Sequence, residues 1–322
     1  MSARVLVTGA GGFLGHHLAR FLVAQGYWVR GADLRHPAFD PTSAHEFQVL
    51  DLREAEACLR ATEGIQDVYA LAADMGGMGF LAVHHADVLH GNALVDLNTI
   101  EAARRNGCQR YLITSSACVY PESRQCVTDV APLREEDAYP ADPPDAYGWE
   151  KLLAERLCLA YQQDYGFETR IARLHNVYGP LGAWQGGREK APAALCRKIA
   201  LAKLEGRTEI EVWGDGRQTR SFCYVDDAVA GLHQLLRSDW REPLNLGQDR
   251  AVSVDELCRM IASIAGVDLK LRHIAGPEGV RGRNSDNARL RAVLGWEPPT
   301  PLEEGLRRTY AWIEQQVARS LA

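Results

Sequence analysis

The chain has 322 residues, of which 46% are hydrophobic and 24% charged, and this usage is typical of a globular protein with room for two domains. It excludes a disordered chain, a collagen-like repeat and a short disulfide scaffold. The net charge of −6 argues against a general affinity for nucleic acid or an acidic membrane. The eight cysteines lack CxxC or metal-ligand spacing, and the N-terminus leads directly into a strand pattern. We therefore expect reduced thiols, no metal, no membrane span and a cytoplasmic location.

Short β-branched apolar runs alternate with helical patterns through the first half of the chain, which predicts a parallel sheet covered by helices. The predicted strands are residues 4–7, 28–32, 46–49, 68–71, 111–114 and 169–174. The predicted helices are residues 12–25, 54–62, 89–106 and 148–165. The fold class is therefore α/β, with a doubly wound parallel Rossmann sheet.

The pattern changes after about residue 175, where residues 176–190 are rich in Gly and Pro, as a substrate loop would be. A second Gly-rich, basic loop covers residues 276–283. Strands near 209–212 and 221–224 and helices near 226–237, 253–265 and 302–318 are also predicted. We expect a Rossmann domain over 1–175, completed by about 221–250, and a smaller mixed α/β substrate domain over 176–220 and 251–322.

Between the first predicted strand and the first predicted helix lies Thr8-Gly9-Ala10-Gly11-Gly12-Phe13-Leu14-Gly15. Gly9 allows a tight turn, Gly12 lets backbone N–H groups approach a pyrophosphate at the helix N-terminus, and Gly15 permits close packing of helix on strand. Asp33 ends the second strand, where a carboxylate accepts hydrogen bonds from ribose hydroxyls and repels a 2′-phosphate. This context favours an NAD site over a structural turn.

Tyr147 and Lys151 are four residues apart on a predicted helix, so their side chains share one face. A cation beside a phenol stabilises the phenolate and lowers its pKa, which suits removal of a hydroxyl proton while hydride leaves for nicotinamide. Ser116, at the end of the fifth strand, can hydrogen-bond the same substrate oxygen. Alone, the Tyr–Lys pair is more typical of an ordinary exposed helix surface, but the nucleotide loop and Ser116 favour the catalytic interpretation.

The TGxxGxxG loop, the serine-containing strand end and YxxxK together resemble the extended short-chain dehydrogenase/reductase family of nucleotide-sugar enzymes, over nearly the whole chain. Longer strings resemble the GDP-mannose 3,5-epimerases within that family. These strings are residues 73–80, 115–122, 186–192, 213–222 and 279–287. Because long unusual strings are more specific than cofactor motifs, the resemblance implies an NAD-dependent epimerase that converts GDP-mannose to GDP-L-galactose, GDP-L-gulose or both.

The resemblance implies roles for two further residues. Oxidation of the sugar C4 hydroxyl to a ketone acidifies the C–H bonds at C3 and C5, so an acid and a base on opposite faces of the ring can invert either centre. By resemblance, Cys118 is the base and Lys190 the acid. Taken without the resemblance, Cys118 is typical of a small buried hydrophobic residue and Lys190 of a solvated loop charge.

The resemblance also implies the binding residues. The expected contacts to NAD are Gly9, Gly12, Phe13, Leu14, Asp33, Asp51, Leu52, Tyr147 and Lys151. The expected contacts to the GDP-sugar are Gly76, Ser116, Ala117, Cys118, Asn176, Glu189, Lys190, Lys198, Gln218, Arg220 and Arg283. Arginine suits bidentate phosphate binding, although each arginine taken singly is at least as typical of a surface salt bridge. The apolar faces of the helices near 89–106 and 148–165 could pack on the sheet or form a homodimer.

Other functions fit parts of the pattern. A 4,6-dehydratase would carry an acidic pair just before Val119, where this chain has an alanine and Cys118. A 4-epimerase needs the Tyr147 and Lys151 pair but has no use for Cys118 and Lys190, and inversion at C5 alone also stays open. A non-catalytic NAD-binding regulator would keep the glycine loop and lose the tyrosine or the lysine, yet both are present.

Overall fold

The computed structural model describes residues 2–321, and a sheet of seven parallel strands forms its centre. The strands of the protein are β1 Arg4–Thr8, β2 Trp28–Asp33, β3 Glu46–Val49, β4 Asp67–Ala70, β5 Arg110–Ser116, β6 Glu168–Leu174, β7 Val177–Tyr178, β8 Glu209–Trp213, β9 Thr219–Ser221, β10 Cys223–Tyr224, β11 Pro243–Leu246, β12 Ala251–Ser253, β13 Lys270–Ile274 and β14 Gly282–Arg283. The order across the central sheet is β11-β6-β5-β4-β1-β2-β3, with every neighbouring pair parallel. The predicted doubly wound parallel sheet is therefore confirmed.

Ten α-helices are found among the described residues. They are α1 Phe13–Ala24, α2 Ala55–Thr62, α3 Met78–Leu81, α4 His85–Arg105, α5 Ala146–Tyr165, α6 Ala191–Glu205, α7 Val225–Arg237, α8 Val254–Ala265, α9 Ala288–Leu294 and α10 Leu302–Leu321. Single turns of 3-10 helix cover Ala117–Val119, Glu122–Gln125 and Glu135–Ala138. Across residues 2–321, no helix is both long enough and apolar enough to cross a membrane.

Helices cover both faces of the central sheet because its strands carry apolar side chains on both sides. Val5 and Val7 of β1 lie in the core that includes the buried leucines of α1 and α7. Leu6, between them, lies in the opposite core with Cys58 of α2 and Ile100 of α4. The period of two along β1 thus divides the apolar interior into two layers.

The remaining elements lie beyond the carboxyl ends of the central strands. Helices α6, α8 and α10 pack together, and β8 and β13 form a parallel two-stranded ribbon. β9 lies between β12, which is antiparallel to it, and β14, which is parallel. The register of β9 and β14 places Arg220 opposite Arg283.

Several elements were not predicted from the sequence, namely α3, α6, α9, β7, β11, β12, β13 and β14. Helix α6 was not predicted, because Pro192 in its first turn suggests a loop; a proline is tolerated there, since first-turn N–H groups have no partner within the helix. The strand predicted over 221–224 was wrong: it is two strands interrupted at Phe222, which pair in different sheets. Helix α4 begins at His85, four residues before its predicted start.

A buried ion pair fixes β6 to α5 near the carboxyl edge of the sheet. The Arg173 guanidinium donates to both carboxylate oxygens of Glu155, at 2.8 and 2.7 Å. It also donates to the Glu135 carbonyl at 2.7 Å, and the Ser115 hydroxyl donates to Glu155 at 2.5 Å. Removing one partner would leave the other charge buried and uncompensated.

We therefore predict that Arg173→Met destabilises the fold by about 3–5 kcal/mol, because Glu155 loses its counter-charge in the interior. Urea unfolding followed by circular dichroism measures the effect. The matched control is Arg307→Met, which removes an exposed pair with Glu304 and should cost no more than about 1 kcal/mol. Equal unfolding midpoints for the two variants would contradict the stabilising role of the buried pair.

Candidate active site

The predicted site residues gather at the carboxyl edge of the central sheet. β1, β2 and β5 end at Thr8, Asp33 and Ser116, and the glycine loop, the ribose carboxylate and the Ser–Cys segment follow from these ends. The edges of β1 and β4 are held together because the Thr8 hydroxyl accepts hydrogen bonds from the backbone of Leu71 and Ala72, at 3.0 and 3.1 Å. Crevices at this edge of an open parallel sheet are where such folds bind ligands.

The glycine loop has the geometry of a dinucleotide site. Gly9 has a φ of +69°, and a Cβ at Gly15 would collide with the Gly9 carbonyl, so both glycines are required. Gly12 precedes α1 and offers no side-chain acceptor to the first-turn N–H groups, which include those of Phe13 and Leu14. Such N–H groups suit a pyrophosphate.

Asp33 and Gly11 define the adenosine side of this loop. The Asp33 carboxylate accepts a hydrogen bond from the Gly11 N–H at 3.0 Å, so it is held beside the glycine turn. A Cβ at Gly11 would overlap the carbonyl oxygen of Arg35. The sequence interpretation assigned no role to Gly11, because its constraint comes from the chain after β2 and is invisible in the loop itself.

The predicted adenine-side contacts follow β3. Leu52 is buried, while the Asp51 carboxylate forms an ion pair with Arg53, and hydrogen bonds from Arg53 lower the pKa of Asp51. Together, the open helix N-terminus, the turn glycines and Asp33 fit NAD. In the described part of the chain, no group of three or more His, Cys, Asp or Glu side chains is arranged to hold a metal ion.

Lys151 is fully buried one turn after Tyr147 and lies between two carboxylates. Its ammonium donates to Asp96 at 3.1 Å and lies 3.2 Å from Glu150. Burial alone lowers the pKa of Lys151, but Asp96 and Glu150 more than offset it, so the net shift is upward. Neither carboxylate was among the predicted site residues, since Asp96 is distant in sequence and Glu150 resembles a surface helix residue.

Tyr147 is buried, with the Lys151 ammonium 5.8 Å from the centre of its ring. Burial raises the pKa of Tyr147, and Lys151 lowers it only in part, while Cys118, Glu150 and Asp96 raise it further. The prediction of a net lowering was therefore wrong for the chain by itself. The reason is that desolvation of the phenolate outweighs a cation whose charge is already neutralised.

Ser116 and Cys118 are placed by a single turn of 3-10 helix that packs on the start of α5. The Ser116 hydroxyl accepts a hydrogen bond from the Cys118 N–H at 3.1 Å, and Ala117 between them is buried. A Cβ at Gly148 would overlap the Cys118 carbonyl, so this glycine allows the close approach. Cys118 and Tyr147 consequently share one buried cluster.

Two arginines face the Cys118 sulfur from the smaller part of the molecule. The Arg283 guanidinium donates to the sulfur at 3.3 Å and to the Gln125 amide oxygen at 2.5 Å. Arg220, opposite Arg283 in register, donates to the backbone carbonyls of Thr219 and Val280. Burial and the neighbouring Arg283 lower the pKa of Arg220. Within residues 2–321 neither arginine has a carboxylate partner, so the pair has the character of an anion site and not of surface salt bridges.

Lys190, at the C-terminal end of the substrate loop, lies within electrostatic reach of Cys118. It is half-buried and immediately precedes α6. Burial lowers the pKa of Lys190, and Cys118 is the charge that opposes this shift. The loop is held against residues 74–80, because the Gly77 N–H donates to the Arg188 carbonyl at 3.1 Å and Arg188 pairs with Asp74. Lys190 is therefore not a freely solvated charge.

The other predicted substrate contacts surround this centre. Asn176 adopts a φ of +41° and donates to the Ser221 carbonyl at 2.9 Å, and Glu189 pairs with Arg197. Lys198 donates to the Glu211 carbonyl at 2.8 Å. Further predicted contacts are Gln218, which donates to the Trp213 carbonyl at 3.0 Å, and Gly76, where a Cβ would crowd Phe80. The requirement for glycine at position 76 thus arises from packing within the chain.

Comparison with known proteins places this geometry in a family. Residues 5–247 match the model of the NAD dependent epimerase/dehydratase family. The chain belongs to this family. As a member, it carries the predicted NAD chemistry, and both the Rossmann fold and NAD as cofactor are confirmed at the level of the family.

Two relatives in plants are similar over almost the whole chain. It is 49% identical over 322 residues to the GDP-mannose 3,5-epimerase of Arabidopsis thaliana, covering 99% of this chain and 84% of that protein. It is 48% identical over 319 residues to GDP-mannose 3,5-epimerase 1 of Oryza sativa subsp. japonica, covering 98% and 83%. The resemblance drawn from the sequence strings is therefore confirmed.

Among solved structures, the chain resembles two bacterial UDP-glucose 4-epimerases. The Thermotoga maritima enzyme with UDP-glucose has a TM-score of 0.87 at 25% identity, covering 98% of this chain and 99% of that chain. The Thermus thermophilus enzyme with NAD has a TM-score of 0.83 at 25% identity, covering 96% and 98%. The chain thus shares its fold with enzymes that are named for a different reaction from that of its plant relatives.

We predict that Gly11→Ala weakens NAD binding by at least about tenfold, because the added methyl group displaces either the Arg35 carbonyl or Asp33 from the adenosine side. Isothermal titration calorimetry with NAD measures the change. Gly91→Ala, in helix α4, where the new methyl group makes only an ordinary contact with the Arg53 side chain at 3.9 Å, should bind NAD as the parent does. Unchanged affinity of the Gly11 variant would show that this turn does not hold the cofactor.

Proposed function

We propose that the protein is an NAD-dependent GDP-mannose 3,5-epimerase that gives GDP-L-galactose, GDP-L-gulose or both. The observation that carries the proposal is that Cys118 shares a buried cluster with Tyr147 and lies within electrostatic reach of Lys190, in a chain nearly half identical to the plant epimerases. An enzyme that only exchanges hydride at C4 needs the tyrosine and lysine alone. The thiol and the second ammonium add acid–base chemistry at carbon.

The first half of the reaction uses the Tyr147 side of the site. NAD, when bound, accepts the C4 hydride and later returns it to the same carbon. Tyr147 takes the proton of the C4 hydroxyl, and Ser116 hydrogen-bonds that oxygen, which fixes the sugar against β5. Lys151 stabilises the phenolate, because a neighbouring cation favours the charged form of the phenol.

The second half of the reaction uses Cys118 and Lys190. With a carbonyl at C4, the C–H bonds at C3 and C5 become acidic, and the Cys118 thiolate removes the proton while the Lys190 ammonium delivers one to the other face of the ring. Arg283 supports the thiolate because a cationic donor at 3.3 Å stabilises negative charge on sulfur. The lowered pKa of Lys190 makes its ammonium a stronger proton donor than a solvated lysine.

Arg220 and Arg283 support the assignment of the diphosphate subsite. They lie side by side on β9 and β14 with no carboxylate partner in the described residues, and such like charges repel unless an anion lies between them. A diphosphate supplies that anion and leaves the hexose next to Cys118. The remaining predicted contacts then line the nucleotide side, toward α6 and β8.

Two alternatives from the same family use fewer of these groups. The similar fold of the UDP-glucose 4-epimerases supports C4 chemistry, but that reaction leaves Cys118 and Lys190 without a role. Inversion at C5 alone would use both residues and differ only in how the ring is placed. A non-catalytic NAD-binding regulator is disfavoured, because Tyr147, Lys151 and Ser116 are assembled together.

Three further parts of the proposal concern organisation. We place the NAD-binding domain over 1–175, completed by 221–250, with 176–220 and 251–322 as the substrate domain; β11 in the central sheet supports this division.

We propose a homodimer through α4 and α5, which pack together and expose Leu89, Leu97, Trp149 and Leu153. The reduced state of the cysteines is consistent with the proposed cytoplasmic location.

The test of the function is incubation of the protein with GDP-mannose in D₂O, followed by proton NMR. Deuterium at C3 and C5 supports the 3,5-epimerase, and deuterium at C5 alone supports inversion at that centre only. Hydride exchange at C4 with no carbon-bound deuterium would support a 4-epimerase. Bound NAD with no reaction of the sugar would support a regulator and refute the proposal.

For Cys118→Ser, we predict that deuterium incorporation falls at least about 100-fold, because a hydroxyl is a far weaker base than a thiolate near neutral pH. Oxidation at C4 should survive and appear as transient NADH absorbance after mixing with GDP-mannose. Cys126→Ser, at the exposed cysteine, is the matched control and should keep full exchange. Full exchange in the Cys118 variant would remove this thiol from the mechanism.

For Tyr147→Phe, we predict a loss of hydride transfer of at least about 100-fold, because the variant lacks the phenol that takes the C4 hydroxyl proton in the proposed mechanism. NAD affinity should be nearly unchanged, which calorimetry can confirm. Tyr165→Phe changes an exposed tyrosine at the other end of α5 and should retain activity. Turnover by the Tyr147 variant at the parent rate is the result that would refute the assigned role.

A further inference from the structure

Lys151 lies in a buried cluster of three charges whose other members had no place in the sequence-based site. Asp96 of α4 and Glu150 of α5 are 4% and 1% exposed, and Lys151 is 2% exposed. The ammonium lies 3.1 Å from Asp96 and 3.2 Å from Glu150. Two carboxyl groups therefore compete for one buried cation.

The hydrogen bonding of the cluster is unequal. The ammonium donates to Asp96, whereas neither oxygen of Glu150 accepts a hydrogen bond of good geometry among the described residues. The Glu150 carboxyl nevertheless lies close enough to Asp96 for a proton to be held between the two. A buried carboxylate without donors is costly, and a proton on it removes most of that cost. Burial raises the pKa of Glu150 well above its ordinary value; Lys151 opposes this shift and Asp96 adds to it.

Other titratable groups face the cluster from each neighbouring element. They are Tyr147 and Cys158 on α5 and Tyr111 on β5; Cys118 lies next to Tyr147, and Glu155 next to Cys158. Arg173 neutralises Glu155 through its bidentate pair. Lys151 is thus the cation that pairs with Asp96 and Glu150 among the described residues of this cluster.

We propose that Asp96 and Glu150 are positioning residues for Lys151 which share one proton, and that the charge of this pair sets the pH at which Tyr147 loses its proton. This inference rests on the proposed roles of Tyr147 and Lys151. With the proton in place, one carboxylate and one ammonium balance each other. When the proton leaves for bulk water, the cluster acquires one negative charge beside the tyrosine.

The sign of the effect follows from this charge. A net negative cluster opposes formation of the Tyr147 phenolate, so ionisation of Glu150 and ionisation of Tyr147 disfavour each other. Glu150→Gln cannot ionise, and the cluster then stays neutral at every working pH. The phenolate should form at lower pH in that variant.

We predict that in Glu150→Gln the acid limb of the pH profile of kcat moves by roughly one unit toward lower pH. The rate is deuterium incorporation into GDP-mannose by the NAD-loaded enzyme. The matched controls are Asp87→Asn on α4 and Asp164→Asn on α5, both exposed, whose profiles should coincide with that of the parent. A profile of the Glu150 variant that superimposes on the parent, at normal NAD affinity, would overturn the proposal.

A second measurement is independent of catalysis. Carbon NMR of the full chain labelled at glutamate carboxyls should contain one resonance that titrates far above the ordinary range and is missing in Glu150→Gln. In Asp96→Asn the titration midpoint of this resonance should move to lower pH, because Glu150 becomes the only carboxylate partner of Lys151. If every glutamate titrates in the ordinary range, there is no shared proton and the proposal fails.

The two measurements separate the inference from the proposed function. If the parent protein does not exchange deuterium into GDP-mannose, the function is wrong, and the NMR titration still decides whether the proton is shared. If Glu150→Gln does not fold, Asp96→Asn supplies the same titration with the glutamate present. If the parent protein exchanges deuterium into GDP-mannose but every glutamate titrates in the ordinary range, the inference is wrong and the proposed function stands.

Discussion

The contact between the Arg283 guanidinium and the Cys118 sulfur joins the two halves of the chain at the centre of the site. The residues are 165 positions apart, one in the turn after β5 and the other on the short strand β14. β14 is kept in place by pairing with β9 and by close packing of Gly282 against the Val127 carbonyl. The site therefore exists only when the Rossmann sheet and the smaller substructure are both folded and docked.

Electrostatics divides the site into two regions of opposite character. Around Lys151 there are two carboxyl groups for one cation, while Arg220 and Arg283 have no carboxylate partner within residues 2–321. The acidic region fixes a lysine and can store a proton, which suits reversible ionisation of a phenol. The basic region attracts an anion and stabilises a thiolate, which suits a diphosphate and a carbanion-forming base.

The sequence could predict those parts of the fold and site that depend on local pattern. The glycine loop, the Tyr147 and Lys151 spacing and the strands β1–β6 of the Rossmann sheet follow from periodicity and fixed offsets along the chain, whereas its seventh strand, β11, was not predicted. Helix α6 was not predicted, because a proline in its first turn is more typical of a loop. The role of Gly11 was not predicted, because the carbonyl that excludes a side chain there belongs to Arg35, which follows β2 in the chain.

Long-range charge pairing was also beyond the reach of the sequence. Asp96 lies 55 positions before Lys151, and nothing in the pattern of α4 distinguishes it from a solvated helix carboxylate. The expected lowering of the Tyr147 pKa was wrong mainly because burial raises it, and the two buried carboxyl groups beside the lysine, which the spacing does not reveal, raise it further. Spacing identifies which groups are present on a face, whereas the sign of a pKa shift depends on all the charges and on burial.

The similarity in fold to the UDP-glucose 4-epimerases shows why the reaction must be argued from the site. The sheet, the glycine loop and the tyrosine–lysine helix supply hydride exchange at one carbon and nothing more. Acid–base chemistry at neighbouring carbons needs a base and an acid that reach the ring from elements outside the sheet. In the mechanism we propose, the base comes from a turn that Gly148 allows to approach α5, and the acid is the residue that precedes α6. That proposal needs only two residues at the rim of an otherwise shared scaffold to add inversion of ring carbons to a reversible oxidation.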